Sequence, residues 1–212
     1  MRDKRKDSAY FKEYLKEEKD RLSKFKEKRK TMNNTEKVDL YISTISINIL
    51  VAEFSAGADK EELLSAYKDV IKYCHKPSYE EILRLLSFAV MLGDKTEILS
   101  FIESNLKTIQ EDKLLSVLLN YLRGDAVTAN GYKVESLYSR LNEFFEANDK
   151  ESALKKYMNG WYSASAGASW YETLKSNTDT YNGYWCFEAG ALAIIYGLDL
   201  NDLAQNEYFP CL

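Results

Sequence analysis

Proline and glycine are scarce in this sequence: its 212 residues include two prolines and nine glycines. Proline interrupts helices and glycine weakens them, so their scarcity leaves long uninterrupted stretches in which helices can form. No Pro/Gly/Ser-rich or low-complexity stretch separates one part of the chain from another. The sequence therefore predicts no flexible linker.

Metal-binding and thiol chemistry have few candidate residues. His75 is the only histidine, and the cysteines Cys74, Cys186 and Cys211 are odd in number and widely spaced. Without a CxxC pair or a second ligand pair near Cys74 and His75, neither a zinc site nor a thiol protease is expected. Cys186 is expected to be a small core residue. Three unpaired cysteines fit a reducing cytoplasm, and no cofactor is predicted.

Long apolar runs are also missing. The N-terminus, MRDKRKDSAYFKEY, contains no apolar run, so no signal peptide is expected. The longest strongly apolar run, Leu40 to Ala52, is too short to span a bilayer and contains Ser, Thr and Asn. These features predict a cytoplasmic protein that does not enter a membrane.

The net charge of −4 hides an asymmetry. Residues 1–30 hold 13 Lys/Arg and 7 Asp/Glu, or +6, and residues 31–212 hold 16 and 26, or −10. An acidic body of this kind repels nucleic acid and attracts basic proteins. The alternative interpretation is that the acidic surface only keeps the protein soluble.

The basic N-terminal residues, from about Lys4 to Lys30, form a predicted amphipathic helix with a narrow apolar stripe from Phe11 to Phe25. A basic amphipathic helix could touch a membrane or nucleic acid. Interspersed glutamates favour instead a peripheral helix lying on the acidic surface of the body. The apolar stripe could also pair two copies of the chain, so a homodimer is possible.

The middle of the chain consists of apolar stretches with helical periodicity, such as Val38, Ile42, Ile45, Ile49 and Ala52, separated by short turns. Helix starts are expected at Asn33 or Asn34, Asp59, a capping box of Ser78 and Glu81, Asp112, Asn130 and Asp149. Short turns make neighbouring helices pack antiparallel. The predicted fold is all-α, an antiparallel helical bundle or solenoid-like stack of helix pairs around a buried C-terminal helix.

That buried helix is predicted over Asn182 to Leu198, NGYWCFEAGALAIIYGL, where Glu188 is the only charged residue. Apolar residues on nearly every side predict burial on nearly every side, with Asn182 capping the start and Gly197 closing the end. A catalytic Glu188 would need a second converging group, and His75 lies far away in the sequence. We therefore interpret Glu188 as a structural carboxylate that accepts hydrogen bonds from a Trp or Tyr on adjacent helices, or from helix N-termini.

Aromatic residues are dense between Glu151 and the C-terminus. The stretch from Glu151 to Lys175 contains two Trp-Tyr pairs separated by small residues and could form a single helix. Trp161, Trp170 and Trp185 are expected in the core. Aromatic residues without interleaved basic residues do not suit nucleic-acid stacking, whereas tyrosines are common anchors at protein interfaces. The predicted interface residues are the tyrosine and acids near the polar loop after Lys175: Glu172, Asp179, Tyr181, Asp199 and Asp202.

Three motifs in this region, GYW-x-FEAGA at 183–191, LDLNDL at 198–203 and YFP-x-L at 208–212, resemble the C-terminal module of the PoNi family. The resemblance is best over residues 161–212, while the residues before about 147 match in helical character and length. It suggests an N-terminal helical module, 1–147, and a C-terminal module, 148–212, that share one core. The structural motif residues are Tyr184, Trp185, Phe187, Glu188, Trp161, Trp170, Tyr208 and Pro210.

The resemblance implies a bacterial immunity protein that binds and inhibits a cognate nuclease toxin. Such a protein would cover the basic DNA-binding and active-site surface of the toxin, and it would need no chemistry of its own. We therefore expect an inhibitor without enzymatic activity. The alternative is a helical scaffold or adaptor without a toxin partner, which would bind several proteins.

Overall fold

Helices make up the fold, and capping residues mark several of their ends. The structure is a computed structural model that describes residues 1–176 and 178–212. In these residues it contains eleven α-helices and no strand, which confirms the all-α prediction. The helices are α1 Ser8–Lys30, α2 Glu36–Ala56, α3 Lys60–Tyr73, α4 Tyr79–Leu92, α5 Ile98–Gln110, α6 Lys113–Arg123, α7 Glu135–Tyr138, α8 Leu141–Glu146, α9 Lys150–Ala164, α10 Phe187–Tyr196 and α11 Leu200–Leu203.

Several helix starts lie where the sequence predicts them. The Ser78 side chain accepts a hydrogen bond from the backbone of Glu81, whose side chain bonds back to Ser78, so the predicted capping box is present. Asp59 forms the same motif with Glu62 at the start of α3. The side chains of Asp112, Asp149 and Asp199 cap α6, α9 and α11. These caps satisfy N–H groups that a helix start otherwise leaves unpaired.

The chain divides into two compact units, which we call unit 1 (Met1–Pro77 with Glu172–Gly183) and unit 2 (Ser78–Tyr171 with Tyr184–Leu212). The units are defined by packing, whereas the predicted modules are defined by sequence character. The predicted module boundary after residue 147 stays a prediction.

In unit 1, α2 packs against both α1 and α3. The predicted apolar stripe of α2 is buried, from Val38 to Ala52. Among the described residues, α2 is the one helix long and apolar enough to cross a membrane by length and composition, but 72% of its apolar window is buried inside the protein. A core helix passes the same test, and burial in unit 1 accounts for the hydropathy of α2.

Helix α1 lies on unit 1 as a peripheral helix. Its Phe11 is buried, and its cations pair with acids of the other helices: Lys19 with Glu53, Lys26 with Asp69, and Arg29 with Asp39. The Arg29 guanidinium, through its hydrogen bond, lowers the pKa of Asp39. Phe11 of the apolar stripe is thus used within unit 1, and the possible homodimer stays a prediction.

A segment distant in sequence completes unit 1. The hydroxyl of Tyr181 donates to Oδ2 of Asp3 at 2.5 Å, and the hydroxyl of Tyr10 donates to the Tyr181 carbonyl at 2.9 Å. Asp3 is fully buried and also accepts hydrogen bonds from the backbone and guanidinium of Arg5. The hydroxyl of Ser55 donates to the carbonyl of Asn182 at 2.6 Å. Tyr181 and Asn182 are therefore held within unit 1 by buried and partly buried polar contacts.

Unit 2 is built around α10, which packs against α4, α6 and α9. Residues Phe187 to Ala193 are all buried, as expected for the central helix. The ring of Phe187 contacts that of Phe88 on α4 at 4.5 Å between centroids. Cys186 is fully buried and behaves as the predicted core residue. Gly197 closes α10 with φ 64°, a conformation that glycine adopts without strain.

Three predicted helices differ from the observed ones. The predicted cap at Asn182 is wrong, because α10 begins only at Phe187 and the Asn182 amide bonds to Asn48 instead. The helix predicted from Asn130 through Phe145 is wrong, because the chain forms two short helices, α7 and α8, in place of one. The single helix over 151–175 is also wrong: α9 ends at Ala164, where a run of Ser, Ala and Gly weakens the helix.

Candidate partner-binding surface

Glu188 lies in the first turn of α10 and is 4% exposed. Its Oε1 accepts two hydrogen bonds, each of 2.8 Å, from the Tyr157 hydroxyl and from Trp161 Nε1. The two donors are four residues apart on α9, so they lie on one face of that helix. Burial raises the pKa of Glu188, and the hydrogen bonds from Tyr157 and Trp161 act in the opposite direction. Glu188 thus joins α10 to α9, as the structural interpretation predicts, and does not open to solvent.

Aromatic side chains form a continuous cluster at the end of α9. We define the aromatic cluster as Trp161, Tyr162, Trp170, Tyr171, Tyr184 and Tyr208. Trp161 stacks on Trp170 at 5.0 Å with an interplanar angle of 15°. Tyr162 stacks on Tyr171 at 4.7 Å and lies parallel to Tyr208 at 5.5 Å. Stacked rings hold each other in fixed positions, so this part of unit 2 presents ordered aromatic faces.

Four members of the aromatic cluster remain partly exposed: Tyr162, Trp170, Tyr171 and Tyr208. The other two, Trp161 and Tyr184, are buried and support them. Tyrosine and tryptophan have an apolar body and a polar tip, which suits a surface that is wet when free and covered when bound. The cluster therefore has the composition of an interface anchor.

The C-terminal residues follow the exposed side of α9. Asp202 pairs with Lys155, and the Asn206 amide donates to Oδ1 of Asn159 at 3.0 Å. A Cβ added at Gly190 would lie 2.6 Å from Cγ of Pro210, so the tail also packs closely against α10. We call the exposed side of α9, the aromatic cluster and residues 198–212 the α9–tail surface.

Acidic residues outnumber basic ones in unit 2. The unit contains 10 Lys/Arg and 17 Asp/Glu, a net charge of −7, and residues 184–212 contain four acids and no base. The α9 lysines are largely neutralised, because Lys155 pairs with Asp202 and Lys156 with Glu143. The α9–tail surface therefore combines ordered aromatic rings with three acids of the tail, Asp199, Asp202 and Glu207, in a unit that is acidic as a whole.

No group of three His, Cys, Asp or Glu side chains among the described residues could hold a metal ion. His75 belongs to unit 1, whereas Glu188 belongs to unit 2.

Two family models together match nearly the whole chain: "PoNe immunity protein (PoNi), N-terminal" over residues 2–104 and "PoNe immunity proteins (PoNi), C-terminal" over residues 110–211. The chain belongs to the PoNi family. This membership supports an immunity role against polymorphic nuclease toxins, with a toxin protein as the partner. PoNi proteins are inhibitors, not enzymes.

A solved structure has the same fold as this PoNi chain. "The Crystal Structure of Protein PA2201 from Pseudomonas aeruginosa" matches with a TM-score of 0.75 and 19% sequence identity, over 98% of this chain and 87% of that one. At this identity the similarity shows the fold alone. No curated protein matches the chain in sequence.

The predicted structural-motif residues all lie in unit 2. Buried at no more than 8% exposure are Trp161, Tyr184, Trp185, Phe187 and Glu188. Pro210 is buried, and Tyr208 is half-buried. Trp170 differs from its core prediction, because it is half-buried and covers one face of Trp161 while leaving part of its own ring in solvent.

The predicted toxin-binding residues lie in both units. In unit 1, Glu172 and Asp179 are exposed, and Glu172 pairs with Lys175. Tyr181 is 1% exposed and donates to Asp3, so the prediction that it contacts a partner is withdrawn. In unit 2, Asp199 is exposed and caps α11, which contains Asp202. Asp199 and Asp202 thus lie together at α11, and Asp202 pairs with Lys155 of α9.

Sequence reasoning missed Tyr157, the first donor to Glu188. A signal was available, because Tyr157 precedes Trp161 by one helical turn and both could face the same neighbour. It also missed the buried carboxylate of Asp3, whose partner Tyr181 lies 178 residues away. No local pattern predicts a contact of that kind.

Proposed function

We propose that this protein neutralises a cognate nuclease toxin by covering the basic DNA-binding and active-site surface of the toxin with the α9–tail surface. The observation that carries the proposal is the partly exposed aromatic cluster set in an acidic unit. The family membership supplies the toxin as the partner.

Charge and aromatic contacts have different roles in this mechanism. A nuclease must attract the phosphate backbone of DNA, so its binding groove is basic. An acidic inhibitor is steered toward that groove and reaches it quickly. The aromatic rings then slow dissociation, because buried Tyr and Trp residues are frequent hot spots. Rings that are already stacked lose little side-chain entropy on binding.

The inhibitor blocks access and transforms no substrate. It needs no cofactor, and its acidic surface does not favour nucleic acid. We place its action in the cytoplasm, where a nuclease toxin would meet DNA.

We expect the cognate toxin to be encoded by a neighbouring gene, and the first experiment co-expresses its nuclease domain with this protein. We expect cells that express both proteins to grow, and cells that express only the toxin domain to die. Growth arrest in the presence of the intact protein would contradict the proposal. A scaffold or adaptor would instead recover several unrelated proteins in a pull-down and give no protection.

The second experiment tests the surface. The triple variant Asp199→Asn, Asp202→Asn and Glu207→Gln removes three charges, while the amide introduced at position 199 can still cap α11. We expect association with the toxin domain to slow by about tenfold at low salt and the difference to shrink as salt is added. The matched control removes three exposed acids of α1: Glu17→Gln, Asp20→Asn and Glu27→Gln. Equal slowing by both variants would contradict the assignment to unit 2.

A further inference from the structure

A groove with a volume of about 770 Å³ lies in unit 1 between α1, α2 and α3. Its apolar lining includes Leu15 and Leu22 of α1, Ile49 of α2 and Ala66 of α3. Pockets that enclose small ligands have volumes of roughly 300–1,000 Å³. The groove therefore has room for a few side chains of an inserted segment, and an apolar side chain of that segment would have apolar partners on all three helices.

A buried hydroxyl without a partner lines the same groove. Ser46 is 3% exposed, and its Oγ has no hydrogen-bond partner among the described residues. Ser55, on the same helix, instead donates to the carbonyl of Val51 at 2.9 Å. Leaving a buried hydroxyl without a hydrogen bond costs free energy. A polar group that enters the groove and bonds to Ser46 Oγ would recover that cost.

The charged lining of the groove is acidic. It contains three carboxylates, Glu53, Glu62 and Asp69, and one cation, Lys19. Ser46, Ile49 and Glu53 are spaced by three and four residues on α2, so a hydroxyl, an apolar side chain and a carboxylate follow one another along one face. Glu53 is largely buried and pairs with Lys19 at 2.7 Å. An amphipathic segment with a Lys or Arg beside its apolar residues complements this order.

We propose that the groove binds such a segment of the toxin: apolar side chains against Leu15, Leu22 and Ile49, and a Lys or Arg that donates to Ser46 and to the carboxylate of Glu53. The proposal rests on the proposed function only in naming the toxin as the source of the segment. It gives unit 1 a binding role of its own, as a second anchor besides the α9–tail surface.

The direct test uses the full chain and two fluorescein-labelled 12-residue peptides. Both peptides place leucines at helical spacing; one carries lysines on the other face and the other carries glutamates. We expect the lysine peptide to bind in a fluorescence-anisotropy titration and the glutamate peptide not to bind. Ala66→Trp fills the groove and should weaken binding of the lysine peptide by at least about tenfold. Ala9→Trp is the matched control, because Ala9 is exposed on α1 and does not line the groove.

Ser46→Ala is a second variant that loses no hydrogen bond within the described protein. We expect its melting temperature to stay at the wild-type value and its affinity for the lysine peptide to fall by about threefold. It keeps the proposal testable if Ala66→Trp does not fold. Lysine-peptide binding that neither variant weakens would reflect attraction to an acidic protein in general and would overturn the proposal. Dimerisation in light scattering that Ala66→Trp abolishes would also overturn it, because a second copy would then occupy the groove.

The toxin domain separates this proposal from the proposed function. If the intact protein gives no protection, the proposed function fails, whatever the peptide does. If the intact protein protects cells and neither groove variant weakens toxin binding, the groove proposal fails and the proposed function stands. We expect protection by the wild type and weaker toxin binding by Ala66→Trp than by Ala9→Trp.

Discussion

Each unit contains a buried carboxylate that accepts hydrogen bonds, but the groups around the two carboxylates differ in charge. In each unit a buried carboxylate accepts a hydrogen bond from a tyrosine hydroxyl: Asp3 from Tyr181 in unit 1, and Glu188 from Tyr157 in unit 2. Asp3 also receives the guanidinium of Arg5, whereas Glu188 also receives the neutral indole of Trp161. The carboxylate of unit 1 thus has a counter-ion, and that of unit 2 is held by neutral donors.

The two units also differ in net charge. Unit 1 contains 19 Lys/Arg and 16 Asp/Glu, a net charge of +3, against −7 for unit 2. The overall value of −4 therefore describes neither unit. A basic partner is attracted to unit 2 by its charge, whereas unit 1 offers an acidic groove within a basic surrounding. Long-range attraction of a basic partner therefore depends on unit 2, whereas in unit 1 only the lining of the groove is complementary to a basic partner.

The largest effect is expected when the carboxylate of unit 2 is removed. Glu188→Ala leaves the Tyr157 hydroxyl and the Trp161 indole buried without their acceptor, and it opens a cavity. We expect a loss of about 3 kcal/mol in the free energy of unfolding, or about 6–12 °C in melting temperature. Thermal denaturation followed by circular dichroism measures the change in melting temperature.

Two controls accompany that variant. Glu188→Gln keeps an acceptor oxygen and should cost about 1 kcal/mol or less. Glu103→Ala changes an exposed residue of unit 2 and should stay within about 0.5 kcal/mol of the wild type. Equal stability of Glu188→Ala and Glu103→Ala would show that the Glu188 contacts do not hold α10 to α9.

The next prediction concerns toxin binding and compares a partly exposed tyrosine of unit 2 with an exposed tyrosine of unit 1. Tyr162 belongs to the aromatic cluster of unit 2, and Tyr41 in unit 1 is 52% exposed and stacks on Phe25. Tyr162→Ala should weaken affinity for the toxin domain by about 2 kcal/mol, or about 30-fold, as for a hot-spot residue. Tyr41→Ala should change it by less than about twofold. Calorimetric titration of each variant with the toxin domain measures these affinities. A larger loss of affinity for Tyr41→Ala than for Tyr162→Ala would place the interface on unit 1.

A smaller effect compares the two tyrosine hydroxyls directly. Tyr181→Phe removes one donor from Asp3 but leaves both hydrogen bonds from Arg5. Tyr157→Phe removes one donor from Glu188 and leaves Trp161. We expect losses of about 1 kcal/mol for Tyr181→Phe and about 2 kcal/mol for Tyr157→Phe in urea denaturation. The reverse order would show that the Arg5 counter-ion does not compensate for the missing hydroxyl.

Local sequence patterns predicted the parts of the fold that local chemistry determines. The capping box of Ser78 and Glu81 and the cap at Asp112 need only residues within one helical turn, so they could be read directly. The role of Glu188 was also predictable, since a carboxylate in an apolar stretch requires hydrogen-bond donors. The sequence left open whether the donors were Trp or Tyr side chains or helix N-termini, and it did not identify Tyr157.

Long-range contacts account for what could not be predicted. Asn182 looks like a helix cap, yet its amide bonds to Asn48, which lies 134 residues away in the chain. The burial of Tyr181 depends in the same way on Asp3. Both residues follow a polar stretch whose sequence is typical of an exposed loop. Their contacts with distant residues form only when the tertiary structure forms, so the sequence alone does not predict that Tyr181 is buried. Because of this burial, we do not include Tyr181 in the proposed interface.

The smallest effect is the pH dependence of the Glu188 contacts. Burial raises the pKa of Glu188 from its usual value of 4.5. Between 4.5 and the raised value, the folded protein binds more protons at this site than the unfolded chain, so stability falls as pH rises through that window. Below this window both states are protonated, and above the raised value both are ionised, so the slope vanishes on either side. Burial raises the pKa of Tyr157 and Cys186 as well, and both keep their protons throughout.

The difference in the free energy of unfolding between the wild type and Glu188→Gln, measured as a function of pH, isolates the contribution of Glu188 ionisation. Groups of opposite sign, such as Asp39 with its pKa lowered by Arg29, are present in both proteins and cancel. We therefore expect the wild type to lose stability relative to Glu188→Gln as pH rises above 4.5, until the difference becomes constant. Urea denaturation at half-unit pH steps from about 4 to about 8 measures the difference. A difference that grows in favour of the wild type over the same window would mean that the neutral donors of α9 stabilise the ionised carboxylate more than burial destabilises it.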